Sequence, residues 1–431
     1  MILILGGGLA GMSTACHLGD VPHLVVEAED VPGGLCRSRD VDGFVFDYTG
    51  HLLHVRDPRA TGWIDELLPD AFDVIARNAT IRTHGVTLPF PFQANLHGLP
   101  NETVADCLAD LADRVGRPVP DDPAVAFEDW SLAVFGRGIS DLFMLPYNAK
   151  LFRRAPRDMT ADWVSWAVPR PSFREVVRGA LGIENRGMGY NSTFRYPKRG
   201  GIGILPDAVS RRVESMRLGA RVTGIDLGRR RVTLDGGERI EYDRLVVTVP
   251  LPAFLRMLDP DLQGLAAAGE RLDWSVVACL NLGIERPEIG DGAHWTYFPE
   301  RDLPFYRVGF PTNFSASVAP PGTSSMYVEF GRKRGEPLDR SALERATLDG
   351  LRREGVLRPD DRVMVRDWVV IDPGYVIFDR GRQEVMARVV PELEQQGVHL
   401  IGRYGAWTYS YMERAMLDGL ELAQKLRETA G

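Results

Sequence analysis

The first apolar positions of the chain fall into two patterns. ILIL is an unbroken run of four; GGGLAGMSTACHL, after it, spaces its apolar and small residues along a helix. The pair predicts a short buried strand, a glycine turn and a helix, and the apolar run in HLVVEAE predicts a second strand, so the chain opens as β-α-β. From about 97 to 190 the period lengthens, several Trp and Phe appear, and loops such as GRPVPDDPA separate the segments; a mainly helical insertion is expected there. Period two returns near 200. ARVTGIDLGRRRVTLDGGERIEYDRLVVTVP reads as a β-meander that hands the chain back to a parallel sheet. A strand-rich stretch over roughly 272 to 333 follows, then a last strand in VHLIGRYG and a closing helix from about 412 to 428.

Composition narrows the chemistry only a little. With 431 residues there is room for several subdomains, and 44% hydrophobic with 26% charged residues is the balance of a folded enzyme. A net charge of -8 and the lack of a long basic run argue against a nucleic-acid partner; RRR at 229 to 231 reads as a solvated turn. Cys16, Cys36, Cys107 and Cys279 form no CxxC, so neither a zinc site nor a disulfide framework is suggested. No signal-peptide pattern and no apolar window long enough to span a membrane appear, and a cytoplasmic location is expected.

Two motifs carry more. Gly6-Gly7-Gly8-Leu9-Ala10-Gly11 matches GxGxxG between a strand and a helix: Gly6 for the tight turn, Gly8 for close approach of a pyrophosphate, Gly11 for helix-strand packing. The second strand ends at Glu27, placed to accept a hydrogen bond from a ribose hydroxyl, so a dinucleotide site is expected. The stretch FDYTGHLLH sets His51 and His54 three apart with no cysteine or carboxylate company suited to a metal, and no metal site is expected.

A second glycine pair, in Gly33-Gly34-Leu35-Cys36-Arg37-Ser38, resembles the GGxxRS/T element of flavoproteins of the amine oxidase and mutase type, in which the arginine reaches the cofactor phosphates. Gly402-Arg403 before a helix resembles the segment that closes those sites. Beyond these, TGHLLH, PFPFQANLHGLP, GISDLFMLPYNAKLF, NSTFRYPKRGGIG, YFPERDLPFYR, DPGY and GRYGAWTY occur in family order, and the chain resembles the flavin-dependent UDP-galactopyranose mutases, most closely their eukaryotic-type branch.

That resemblance implies an α/β fold: a Rossmann-like FAD-binding domain in three parts (1–96, 191–271, 391–431), a mainly helical substrate or cap domain (97–190) and an antiparallel-sheet substrate region (272–390). It implies FAD against Gly6, Gly8, Leu9, Ala10, Gly11, Glu27, Gly34, Leu35, Arg37, Gly50, His51, Val222, Gly402, Arg403 and Met412. It also implies that Tyr297, Arg307, Tyr375, Arg403 and Tyr409 grip a diphosphate, with Gln93 and Asn191 lining the cleft, and that His51, Arg307 and Tyr409 take part in catalysis. Arg and phenol donors suit a diphosphate that gains charge as the anomeric bond breaks. Two departures stand out. Phe152 occupies the place of a usual tryptophan, and Ala167 that of an arginine after Trp163, for which Arg170 is the candidate replacement. Both lie on the expected substrate walls, so a different nucleoside diphosphate sugar is compatible with the retained diphosphate grip.

The activity implied is interconversion of pyranose and furanose forms of a nucleotide sugar at reduced FAD. No protein nucleophile is required, in keeping with a chain that has no GxSxG and no HExxH. NADPH or NADH is the expected reductant, although no second GxGxxG is present. Two rival readings stay open. One is an FAD-dependent oxidoreductase of the amine oxidase or protoporphyrinogen oxidase type, and the other a flavin-binding protein without catalysis. The sequence leaves the oligomeric state, the sugar and the base open.

Overall fold

The computed structural model describes every residue except 184, 186, 190, 191, 259–262 and 431, and of 166, 263 and 430 only the backbone. Ile2–Leu5, buried along its whole length, is the centre of a five-stranded parallel sheet in the order Val398–Leu400, Arg244–Val247, Ile2–Leu5, His23–Val26, Met216–Arg217. Helices cover such a sheet on both faces, which is why its strands read as unbroken apolar runs rather than alternating ones. The glycine turn leads into the helix Leu9–His17, and the closing helix Met412–Ala430 packs on it, with Ser13 Oγ donating to the Met416 carbonyl at 2.6 Å. The meander is present as Val222–Asp226, Arg231–Leu234 and Arg239–Glu241, all antiparallel, and the next strand, Arg244–Val247, returns to pair in parallel with Ile2–Leu5.

A second sheet has seven strands: Val363–Val376, Trp274–Ile284, Ser324–Lys333, Arg307–Gly309, Trp295–Tyr297, Ala79–Thr83 and Val86–Pro89, in that order. Its pairs are antiparallel except Trp295–Tyr297 with Ala79–Thr83. The last two strands come from the stretch that the sequence assigned to the first nucleotide-binding part, residues 1–96. Ala79–Thr83 alternates buried and half-buried positions, the signature of a strand with one covered face, and so it belongs with the mixed sheet rather than the parallel one.

The expected helical segment contains Asn101–Ala112, Phe127–Ile139, a π-helical turn over Ser140–Met144, Leu145–Phe152 and Phe173–Ala180. Its apolar faces bury Phe127, Trp130, Ile139 and Phe143 in the same core as the strands Ala79–Thr83 and Trp295–Tyr297. The helical layer, the seven-stranded sheet and the parallel sheet thus share one core. Among the described residues no helix is long and apolar enough to cross a membrane.

Candidate active site

Between these layers runs a cavity of about 890 Å³, bordered by the glycine turn at one end and by the helical layer at the other. That volume lies near the top of the range of small-molecule and cofactor sites, about 300–1,000 Å³.

At the first end the walls are backbone. A Cβ on Gly11 would stand 2.1 Å from the Gly6 carbonyl oxygen, so only glycine lets the helix start this close to the strand. A Cβ on Gly8 would meet nothing within 4 Å, because Gly8 faces the open cavity. The helix Leu9–His17 has neither a side-chain cap nor an acidic residue in its first turn, and its amino end points its N–H groups and its dipole at that space. Glu27 borders the same space and is fixed there: Oε2 accepts from Gly7 N at 2.7 Å and Oε1 from Glu29 N at 2.9 Å. Arg37 donates Nε to the Gly34 carbonyl at 2.8 Å and lies over the Tyr48 ring. An open glycine, an uncapped helix start and a held carboxylate fit the pyrophosphate and ribose of a dinucleotide. All the residues expected at the cofactor border this cavity except Gly11, which packs beneath it.

His51 borders the same cavity. Thr49, with φ of 71°, turns the chain, and the His51 N–H donates to the Thr49 carbonyl at 3.0 Å. Burial lowers the imidazole to about 4, with the backbone of Tyr48 pulling the other way and Arg403 and Arg307 adding to the fall, so the ring is neutral at physiological pH. His54 also borders the cavity, its Nδ1 3.1 Å from the Thr193 carbonyl, and burial lowers its pKa. No cluster of potential metal ligands occurs among the described residues.

At the other end the walls are side chains. Gln93, Tyr297, Arg307, Tyr375, Arg403 and Tyr409 all border the cavity. The two arginines differ. Arg307 is locked to Glu329, its register partner on the next strand, by Nε to Oε2 at 2.7 Å and Nη2 to Oε1 at 2.6 Å, and Glu329 is 0% exposed. Two of its five N–H donors are therefore spent, and its charge is neutralised. Arg403 spends its hydrogen bonds on backbone carbonyls, Ser410 and Gly374, both at 3.1 Å. Its guanidinium lies 5.2 Å from the Tyr375 ring centre, 5.1 Å from Tyr409 and 5.7 Å from Tyr404. Its Nε is buried without a partner, and no carboxylate among the described residues pairs with it. Burial raises the phenols of Tyr147, Tyr306, Tyr375 and Tyr409, which therefore stay protonated and able to donate. This end can hold an anion.

Two expected substrate residues, Arg170 and Phe152, do not line the cavity. Arg170 is exposed, its guanidinium over the Trp130 ring at 5.0 Å, and it does not border the cavity, whereas Ala167 does. The prolines on either side, Pro169 and Pro171, hold that stretch extended and turn the side chain outward, so Arg170 does not replace the missing arginine. Phe152 is buried behind the wall, packed on Trp163 and Tyr375 at 5.3 and 5.8 Å between ring centres. Asn191 lies outside the described residues. Tyr147, Asn148, Tyr306 and Tyr327 also line the cavity, and Glu329 stands behind it; none of them is singled out by the sequence motifs. A signal for Glu329 existed: a lone carboxylate in the apolar run MYVEFG needs a buried partner.

The model of one protein family, Flavin containing amine oxidoreductase, matches residues 9–427. Among curated proteins, a zeta-carotene-forming phytoene desaturase of Myxococcus xanthus is 26% identical over 384 residues, 76% of this chain and 71% of the relative. Protoporphyrinogen oxidase 1, chloroplastic, of Arabidopsis thaliana is 23% identical over 322 residues, 67% of this chain and 59% of that one. Among solved structures, a reduced UDP-galactopyranose mutase superposes with a TM-score of 0.92 at 28% identity, over 99% of this chain and 94% of the other. A putative protoporphyrinogen oxidase from Exiguobacterium sp. 255-15 has the same fold, with a TM-score of 0.73 at 18% identity, over 99% and 98%.

Proposed function

The chain belongs to the family of flavin containing amine oxidoreductases, and from that premise we propose that it is a nucleotide-sugar mutase. It would interconvert the pyranose and furanose forms of a nucleoside diphosphate sugar with reduced FAD, as a relative of the eukaryotic-type UDP-galactopyranose mutases. The observation that carries this reading is Arg403, a buried cation ringed by three phenols with no carboxylate partner among the described residues, in the same cavity as the dinucleotide cradle. A buried charge of that kind calls for an anion. The likeness to the reduced mutase over nearly the whole of both chains supports the same reading.

The residues divide the work. Gly8, Glu27 and Arg37 hold the cofactor's pyrophosphate and ribose. The reduced flavin, when bound, supplies the covalent chemistry at the anomeric carbon. Arg403 and the protonated Tyr375 and Tyr409 stabilise the diphosphate as its bond to the sugar breaks and charge builds on it. Arg307, already neutralised by Glu329, offers its remaining N–H donors without adding net charge. His51 stays neutral beside the cofactor, and the apolar walls Phe143, Leu151 and Trp163 exclude water. The reading makes NADPH or NADH the reductant, bound transiently over the flavin.

A second reading rests on the two curated relatives, a desaturase and an oxidase. Under it the flavin would oxidise an apolar substrate lying along those same walls. Anaerobic reduction of the purified protein, followed by a panel of nucleoside diphosphate hexopyranoses and hexofuranoses resolved by chromatography, separates the two. Ring-size interconversion supports the mutase. No conversion of any nucleotide sugar, with oxidised protein reduced instead by an amine or a polyene, sinks it.

A further inference from the structure

The helix Leu145–Phe152 turns Tyr147, Asn148 and Leu151 to the cavity, while Lys150 reaches into the loop that joins the strands Trp295–Tyr297 and Arg307–Gly309. Its ammonium donates to three backbone carbonyls there: Phe298 at 2.8 Å, Glu300 at 2.7 Å and Phe305 at 2.5 Å. An ammonium has three N–H donors, and this cage uses all three. Burial lowers the Lys150 amine to about 7, Glu300 and Asp302 pull it back up through space without a hydrogen bond to their carboxylates, and the three carbonyl acceptors call for the charged, three-donor form.

The caged loop sits at the root of the site. Tyr297 and Arg307 are register partners and close the hairpin from which residues 298–305 emerge. On the far side the same helix is seated on the strand Ser324–Lys333, where a Cβ on Gly331 would lie 2.2 Å from the Lys150 carbonyl oxygen. The Tyr147 ring, one turn before Lys150, lies 5.3 Å from Tyr297 and 6.2 Å from Tyr306 between centres. One side chain thus ties the helix carrying Tyr147 to the hairpin carrying Tyr297 and Arg307.

We propose that Lys150 is a positioning residue for the anion end of the cavity. Its caged ammonium fixes the spacing between Tyr147 and the Tyr297–Arg307 hairpin, and it touches no ligand itself. The occupant is taken from the mutase reading above; the cage is not. Removing the ammonium leaves three carbonyls short of a donor, and the loop gains freedom.

The test uses the FAD-bound protein, Lys150→Ala and Lys150→Met, with UDP and inorganic pyrophosphate as probes of the anion end and hydrogen exchange as a probe of the loop. Both variants are expected to keep FAD, to bind UDP and pyrophosphate about tenfold more weakly, and to exchange the amides of 298–306 faster. In Lys150→Ala, added methylammonium should restore binding and slow exchange, while sodium chloride at equal ionic strength should not; a role in packing alone would not answer to an ammonium. Unchanged affinity with unchanged exchange in Lys150→Met overturns the proposal, as does loss of FAD from both variants that methylammonium does not reverse. If the unaltered protein holds neither UDP nor pyrophosphate, the mutase reading fails, and exchange at 298–306 with its ammonium rescue still decides the role of Lys150.

Discussion

The two ends of the cavity are built by different means. The dinucleotide end is made of backbone: a glycine that opens onto the cavity, a helix start and a carboxylate held by two amides, all within residues 6 to 29. The anion end is made of side chains from separate parts of the chain, Gln93, Tyr147, Tyr297, Arg307, Tyr375 and Tyr409 among them, brought together by the seven-stranded sheet and the helical layer. At Gly11 the first end tolerates no added atom. The second depends on charge balance, and it holds one neutralised arginine and one that is not. A cradle of backbone suits a cofactor that never changes, and an assembly of side chains suits a substrate that differs between relatives.

The contrast can be broken most severely at Gly11. Gly11→Val would drive a side chain into the Gly6 carbonyl, and the purified protein is expected to be colourless, with no FAD by absorbance; a yellow variant with full occupancy would undo the backbone account. Next is the paired arginine. Arg307→Ala leaves Glu329 buried and uncompensated, with an expected loss of about 3–5 kcal/mol in denaturant unfolding, and the double change with Glu329→Gln should recover much of it. Arg403→Ala removes the uncompensated charge instead. It should weaken UDP binding about tenfold to a hundredfold, the worth of a hydrogen bond to a charged group, and cost less stability than Arg307→Ala. If the two rank the other way, the roles assigned to the arginines are reversed.

A further effect, spread over a pH window, concerns acid. His294, whose Nδ1 accepts from Asn78 N at 3.1 Å, is lowered by burial from 6.5 to about 4. Between those values the unfolded chain holds a proton that the folded one does not, so stability falls as pH drops from 6.5 towards 4. His294→Asn should flatten that fall by up to about 1.4 kcal/mol per pH unit, read from unfolding curves across the window.

Which parts were legible in the sequence follows the same division. GxGxxG with Glu27 is a local pattern whose geometry is decided by neighbours in the chain, and the parallel β-α-β start stands as expected, as does the meander read from the period-two stretch. Tyr297, Tyr375, Arg403 and Tyr409 came from a resemblance, and the fold does bring them to one cavity. What could not be read was pairing across strands. Nothing local to Arg307 reveals Glu329, which lies opposite it only because of the sheet register. Nor does spacing reveal that Arg170, between two prolines, faces out over Trp130. The place of Ala79–Thr83 is hidden for a related reason: one of its partner strands, Trp295–Tyr297, lies more than two hundred residues away.

The central claim is that the backbone cradle and the anion end serve one reaction without net oxidation. Flavin absorbance followed anaerobically, while a nucleoside diphosphate hexose is converted, tests it most directly. The account predicts that the reduced protein forms the other ring size over many turnovers with the flavin still reduced at the end, and that the oxidised protein forms none. Conversion by the oxidised protein, or flavin reduction in step with loss of substrate, would contradict it.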